Sequence, residues 1–415
     1  MSTSENSFPK DISHHTINKL LKSITLPEAT NIVHKIDTNF HAIYMITLPP
    51  GQKSTCGCEP FYHNELVLCV SADYWPSIKI ENELGVMNYI SNCITKVSVP
   101  TLHLCENTRN NPLGYEYTLL ARVPGDTLSD IWQGLDDQQR DGILDQLGDI
   151  LAELHSHKWY GIGGIDEEFW MSSDGDRDRL DNLSQVIDET FWTISQTALW
   201  PADETIQSLN TSGPFKTYTD YISAQISLYI RQIRLHDNLE FYRLQSYRLE
   251  AFLTVLEEHA EELNKTRFIL AHKDLHFGNI MYDRKSGKIT SILDWGFAGV
   301  VPAPKWNPRK AFLWDCDSSE KGKAARDLLM QRFMQRCEAR GVKPLPDEVE
   351  YTSPRQKAMQ EIADHVRAII EVKVKNQYSE TTKMQLQLDE RVKEWEDTVS
   401  KALEVFGISS SVSIK

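Results

Sequence analysis

Apolar residues recur along this chain in two rhythms, and the change between them falls near residue 124. Before it the runs are short and closed by turn residues. Ala42-Ile43-Tyr44-Met45-Ile46 and Leu66-Val67-Leu68-Cys69-Val70 read as strands, with Pro49-Pro50-Gly51 after the first. Leu84, Met87, Ile90 and Ile94 then recur at helical spacing, which predicts a helix over 80–93. Val99-Pro100 ends that element, Tyr115 to Val123 reads as a further strand, and Pro124-Gly125 breaks it.

From there the spacing is helical. Ile143, Leu144, Leu147, Ile150, Leu151 and Leu154 form an amphipathic stripe. Segments 216–236 and 240–264 read as helices, the second marked by Leu249, Phe252, Leu253, Leu256 and Leu263. Residues 165–215 are irregular, and 268–294 returns to strand character. Beyond 320 the chain is almost all helical, through Met359, Ile362, Val366 and Ile369 and later Leu388, Val392, Trp395, Val399 and Leu403. The pattern predicts an α+β, bilobal chain: a small β-rich N-lobe, a linking strand and a large helical C-lobe. The boundaries read as 1–28 for an N-terminal extension, 29–123 for the small lobe and linking strand, 124–345 for the large lobe, and 346–415 for its helical end.

Composition narrows the function classes. With 40% hydrophobic residues in 415, the chain can bury a sizeable core. A formal charge of −15 opposes a broad phosphate-backbone surface, so no nucleic-acid partner is expected. Any anionic ligand then needs local positive potential: a metal, a helix N-terminus or a few aimed cations. No run of 18 apolar residues exists, so no membrane span is expected. The start MSTSENSFPKDISHH has no secretory pattern, and seven cysteines are few and odd in number, which points to a reducing cytoplasm. Cys56-Gly57-Cys58 with His63 matches no usual zinc spacing and reads as a turn.

The chemistry concentrates in 267–299. Two apolar strands flank Ser286-Gly287, so HKDLHFGN (His272 to Asn279) is a loop followed by a hairpin. Asp294 ends the second strand and returns toward Asp274 and Asn279. Phosphoryl transfer from ATP needs Mg²⁺ held by one or two hard oxygen ligands, which suits Asn279 and Asp294. A second carboxylate must face the acceptor and receive its proton, which suits Asp274. His272 would orient the loop by hydrogen bonding.

HKDLHFGN fits the kinase loop pattern H-R-D-L-x-x-x-N with Lys273 in place of Arg, and Asp294-Trp295-Gly296 stands where D-F-G stands. The His-x-Asp-Leu-His form, with His276, resembles aminoglycoside phosphotransferases and choline-kinase-like enzymes, in a fungal-type branch. No A-P-E follows Asp294, so a protein-kinase activation segment is absent. The resemblance covers about 30–340 and implies a protein-kinase-like fold, ATP and Mg²⁺ as cofactors, and a small-molecule acceptor. It implies that Tyr115 to Val123 with Pro124-Gly125 is the hinge, Leu120, Ala121 and Val123 contacting adenine. It places Glu83 at the family's helix glutamate and leaves a monomer or a homodimer open.

The small lobe departs from the family. The strand-borne Lys or Arg that contacts the α- and β-phosphates falls on Cys69, and Asp37-Thr38-Asn39-Phe40-His41 has no glycine in the phosphate-covering loop. Lys79, four residues before Glu83, and Lys35 are the candidate replacement cations. The plainer account of Lys79 is a solvated surface lysine, and Glu83 has the same alternative. The leading expectation is an ATP- and Mg²⁺-dependent phosphotransferase acting on a small-molecule hydroxyl or amine. The alternative is a kinase-fold protein that binds ligand, or uses Mg²⁺ for other chemistry, without phosphotransfer.

The acceptor side is expected between hinge and catalytic loop. Trp170, Trp192, Trp200, Phe215, Tyr218 and Tyr221 could line it or form core, and Asp166, Glu167, Glu168, Asp174, Asp176 and Asp178 could bind an amine or simply be solvated. Trp306, Asn307 and Arg309 could shape the floor of the site.

Overall fold

The computed structural model describes residues 12–37, 41–50, 64–72, 74–166, 183–188, 190–305, 319–342, 351–376 and 382–409. Alternating side chains near the N-terminus build a five-stranded antiparallel sheet. Its strands β1 (Asn31–Asp37), β2 (His41–Thr47), β3 (Glu65–Ser71), β4 (Leu102–Glu106) and β5 (Tyr117–Ala121) lie in the order β1-β2-β3-β5-β4. The two-residue period gives the sheet two different faces. Leu66, Leu68 and Val70 join Tyr44, Ile46, Tyr117 and Leu119 in one apolar cluster. Helix α1 (His14–Ser23) adds Ile17, Leu20 and Leu21 to it. The boundary drawn at residue 28 thus falls inside the small lobe, because 12–28 supply part of its core.

Val67, Cys69 and Leu120 belong to the opposite face and pack in the cluster of α2 (Ile78–Cys93). The sequence shows one apolar stripe on this helix, yet it is buried on nearly every side, Lys79, Asn82 and Glu83 included. The sheet covers one side of it and the large lobe the other. Beyond the hinge come β6 (Asp126–Thr127) and α3 (Asp137–Ser156). A capping box of Asp136 and Gln139 starts α3, and its Ile143, Leu144, Leu147, Ile150, Leu151 and Leu154 are buried. Strands β7 (Gly164–Ile165) and β8 (Leu183–Ser184) follow as a short pair. A Cβ on Gly85 would lie 2.1 Å from the Ile165 carbonyl oxygen, so only glycine lets α2 rest on β7.

Helices α4 (Tyr218–Leu235) and α5 (Gln245–Glu258) precede β9 (Phe268–Ala271), β10 (Ile280–Asp283), β11 (Lys288–Ile292) and β12 (Gly299–Pro302). The order β11-β10-β6 ties the hairpin to the hinge, and β12 pairs antiparallel with β9. Strand β12 was not expected from the sequence; its four residues are too few to show a period. Last come α6 (Glu320–Ala339), α7 (Pro354–Lys375) and α8 (Thr382–Glu404). Helices α4, α5, α7 and α8 share a second apolar core, whereas α6 lies against α3.

Candidate active site

The catalytic loop is fixed to the hairpin by the backbone and by one histidine. Leu293 N–H donates to Asn279 O at 2.8 Å. His272 donates from Nε2 to Leu293 O at 2.8 Å, and its Nδ1 accepts from Asp274 N–H at 3.3 Å. That pattern sets one neutral tautomer, and burial lowers the imidazole pKa to about 4. Lys273 and Asp294 take φ of +68° and +54°, left-handed values that cost a non-glycine residue roughly 1 kcal/mol or more. Two such residues where loop and hairpin meet turn Asp274 and Asp294 toward a common space.

Burial raises the Asp274 carboxyl pKa, with the Asp294 charge adding to it and His276 opposing. His276 Nδ1 accepts from Gly278 N–H at 3.0 Å, which leaves Nε2 as the donor, 3.8 Å from Asp274 Oδ2. Asn279 donates from Nδ2 to Asp274 O at 2.9 Å, so its amide oxygen is the free end. Burial alone would raise the Asp294 pKa, but Lys79, His41, His272 and the Gly296 amide hold it below the usual range. Asp294 Oδ1 is buried without a hydrogen-bond partner. An ionised, buried carboxylate oxygen with no donor beside a free amide oxygen suits a hard divalent cation that brings its own waters. Among the described residues no group of three or more His, Cys, Asp or Glu could hold a metal ion.

Helix α2 brings the cation. Lys79 is 4% exposed, and its ammonium lies 3.8 Å from Asp294 Oδ1. It donates to His41 Nε2 at 3.0 Å and sits 5.2 Å from the Phe297 ring centre. The surface readings of Lys79 and Glu83 are therefore corrected; both are buried because α2 is enclosed by the two lobes. Lys35 is exposed on β1, away from this cluster. Burial pushes Glu83 up to about 7, with Asp294 adding and Lys79 opposing. Cys69 lies in the same field: burial, then Glu83 and Asp294, push its thiol up to about 12, so it stays neutral.

Three participants gave little signal in the sequence. Asn82 is 2% exposed; it donates to Gly296 O and Ala298 O at 3.0 and 2.9 Å and accepts from Ile165 N–H at 3.0 Å. One amide thus holds the small-lobe helix, the Asp294 loop and β7 together. Asn82 is one of three asparagines on α2, with Asn88 and Asn92, so the sequence alone does not single it out. His41 accepts a hydrogen bond from the Lys79 ammonium, and burial followed by the Lys79 charge lowers its pKa to about 3. Gly296 leaves room for Lys79, since a Cβ there would lie 2.5 Å from Nζ and 3.2 Å from Cγ.

The hinge needs one correction. Leu120 and Ala121 are buried, but Ala121 N–H already donates to Thr101 O at 2.8 Å and Arg122 N–H to Glu65 O at 3.1 Å. Among the described residues Val123 is the first past the strand whose N–H finds no protein acceptor. On the acceptor side Trp192, Trp200, Tyr218 and Tyr221 are buried in the second core, Phe215 packs against it and Asp166 is exposed. Trp170, Glu167, Glu168, Asp174, Asp176, Asp178, Trp306, Asn307, Arg309, Cys56, Gly57, Cys58 and His63 lie outside the described residues, as do 38–40 of the phosphate-covering loop.

A strand-rich small lobe, a hinge and a helical lobe carrying this loop and hairpin define a protein-kinase-like phosphotransferase fold. The chain belongs to the phosphotransferase enzyme family (APH), whose family model matches residues 62–303. A subtelomeric hrmA-associated cluster protein of Aspergillus fumigatus is 21% identical over 262 residues, covering 53% of this chain and 50% of that protein. The clavilactone A biosynthesis cluster protein Y of Ampulloclitocybe clavipes is 23% identical over 287 residues, covering 67% and 63%. The chain spans about half the length of the first of these relatives. Among solved structures, the streptomycin–ATP–APH(2")-IIa ternary complex superposes with a TM-score of 0.49 at 13% identity, covering 95% of this chain and 99% of that one. Among the described residues no helix is long and apolar enough to cross a membrane.

Proposed function

We propose that this chain transfers the terminal phosphoryl group of magnesium-bound ATP to a hydroxyl or amine of a small-molecule acceptor. The observation that carries the reading is Asp294 Oδ1, buried, without a hydrogen-bond partner, and 3.8 Å from a buried lysine. Asp294 and Asn279 would hold the metal, and Lys79 would face the phosphates in place of the missing strand cation. Glu83 lies on the same helix, where an ionised carboxylate would steady the ammonium. Leu120, Ala121 and Val123 would flank adenine, with the Val123 N–H as donor. Bound magnesium ATP supplies the transferred group and neutralises the two aspartates. Asp274 receives the acceptor proton as the new bond to phosphorus forms and the bond to ADP breaks; its raised pKa strengthens it as a base. His272 keeps Asp274 aimed through its backbone amide.

The binding-only alternative rests on Cys69, and one experiment separates the two. ATP with Mg²⁺ should raise the melting temperature of the purified chain, and ATP with EDTA should do so much less. Across a panel of hydroxyl and amine acceptors, Asp274→Ala should lose roughly 10²- to 10⁴-fold in turnover while keeping the nucleotide-induced shift. No shift with magnesium ATP would refute the reading at its first step. A shift without turnover on any acceptor would favour the binding protein.

A further inference from the structure

The helix that brings the active-site cation begins on a strained turn. Ser77, two residues before Lys79, has φ +64° and ψ −49°, and Ile78 N–H donates back to Pro76 O at 2.8 Å. This is a γ-turn of the positive-φ kind, which is rare because it strains any residue that carries a side chain. Among the described residues Thr25, Ser77, Lys273 and Asp294 are the non-glycine positions with positive φ. Lys273 and Asp294 turn the two aspartates toward one space. Ser77 opens the helix whose lysine reaches Asp294.

Such strain persists only where the surroundings fix it. Here the segment joining β4 to β5 does so. Ser77 N–H donates to Glu116 Oε1 at 2.8 Å, and Ser77 Oγ donates to Asn107 O at 3.1 Å. Asn107 donates from Nδ2 to Glu81 Oε1 on α2 at 3.1 Å. Glu116 is buried, and its carbonyl accepts from Ser71 N–H at 2.8 Å, which pins it to the end of β3. Burial raises its pKa, with the Ser77 amide and then the Arg109 charge opposing. Asn82 fastens α2 only from its second turn onward. Lys79 lies ahead of it, in the first turn, where N–H groups lack helical acceptors and helices fray. The Ser77 side chain makes no capping bond. The Glu116 carboxylate supplies the missing acceptor, at a helix end that favours negative charge.

We propose that Glu116 and Ser77 are positioning residues for Lys79: the carboxylate holds the strained turn, and the turn sets the ammonium at Asp294. Without that acceptor Ser77 returns to negative φ, and the first turn of α2 moves off Asp294 with its lysine. That the ammonium so placed meets nucleotide phosphates rests on the phosphotransferase reading; the placement itself does not.

The test reads Lys79 in two ways on the full chain: magnesium-ATP affinity by calorimetry, and the rate at which acetic anhydride acetylates Lys79, followed by mass spectrometry. Lys305, which donates to Tyr221 Oη in the large lobe, is the internal control for general loosening. Glu116→Leu should speed Lys79 acetylation about 5-fold or more, leave Lys305 unchanged, and weaken magnesium-ATP binding roughly 10-fold. Glu116→Gln keeps an oxygen toward the Ser77 amide and should stay within about 3-fold of wild type in both readings. Ser77→Gly accepts positive φ and should also stay within about 3-fold, whereas Ser77→Val, whose branched side chain opposes positive φ, should match Glu116→Leu. Both Ser77 variants lose the bond to Asn107, so the difference between them reports the backbone turn. The proposal is overturned if Lys79 acetylation is unchanged in Glu116→Leu, if Lys305 speeds up equally, or if Ser77→Val behaves as Ser77→Gly does. Should Glu116→Leu fail to fold, the two Ser77 variants decide it. Faster Lys79 acetylation with unchanged magnesium-ATP affinity would leave the placement standing and remove Lys79 from the nucleotide site. A wild type that binds no magnesium ATP, with Lys79 acetylation still following the turn, would remove the phosphotransferase reading and leave the placement standing.

Discussion

Lys79 reaches Asp294 from a helix, although the resemblance places the family's phosphate-contacting cation on the neighbouring strand. The exchange is geometrically coherent, because Cys69 on β3 feels Glu83, Asp294 and Lys79 in turn. If the charge alone matters, it should be movable. Lys79→Met should weaken magnesium-ATP binding roughly 10-fold or more, and adding Cys69→Lys should restore part of that loss, as read by calorimetry. A double variant no better than the single one would show that the helix position itself is required. Asn82 offers a separate test, of stability. Asn82→Ala leaves two carbonyls and one N–H buried without their partner, each such group costing about 1 to 3 kcal/mol. Denaturant melts should show a loss of about 3 kcal/mol or more; a loss under about 1 kcal/mol would mean that water replaces the amide. Asp274, Asn279 and Asp294 are legible in sequence because their chemistry needs fixed spacing on one loop and hairpin. Lys79, Asn82 and His41 are not, because their meaning depends on which elements close over them.

At the scale of elements, the sequence states its helices more clearly than their partners. The stripe from Ile143 to Leu154 announces α3, and α6 begins at Glu320. What joins them is an ordered set of charges. Asp137, Asp141, Asp145 and Asp149 recur every four residues on α3, as do Arg332 and Arg336 on α6 and Arg340 at its C-terminal cap. Arg336 meets Asp141 and Asp145 at 2.8 and 2.6 Å, Arg332 meets Asp141 at 2.7 Å, and Arg340 meets Asp149 at 2.9 Å. That four-residue period in both segments was readable signal, but pairing them needs the fold. Each pair is about one-third exposed, so single bridges contribute little and the network somewhat more. Arg336→Met should cost about 1 to 2 kcal/mol at low salt and much less near 1 M salt, where screening has removed most of the wild-type advantage. Equal costs at both salt concentrations would assign the loss to packing instead.

For the whole molecule, a formal charge of −15 creates self-repulsion that should relax as pH falls toward the pI of about 5.4. Buried histidines work against that trend. Burial lowers His155 to about 3, His272 to about 4 and His41 to about 3, while each titrates near 6.5 once unfolded. Below pH 6.5 the unfolded chain therefore binds protons that the native chain refuses, and stability falls with pH by up to about 1.4 kcal/mol per unit for each histidine. Glu83 acts in the opposite sense. Held at about 7, it binds its proton in the native state from neutral pH down to its unfolded value near 4.5, and offsets roughly one histidine. Glu116, Asp274, Asp364 and Glu396, also raised by burial, act in the same sense as Glu83, so the contribution of one histidine is best read on its own, between about pH 6.5 and 5. His155 isolates the effect, because it is wholly buried and lies outside the active site. Denaturant titrations of His155→Leu across that range should show a slope shallower by about one proton. An unchanged slope would mean that His155 is charged in the native state, and that burial is not what sets its titration.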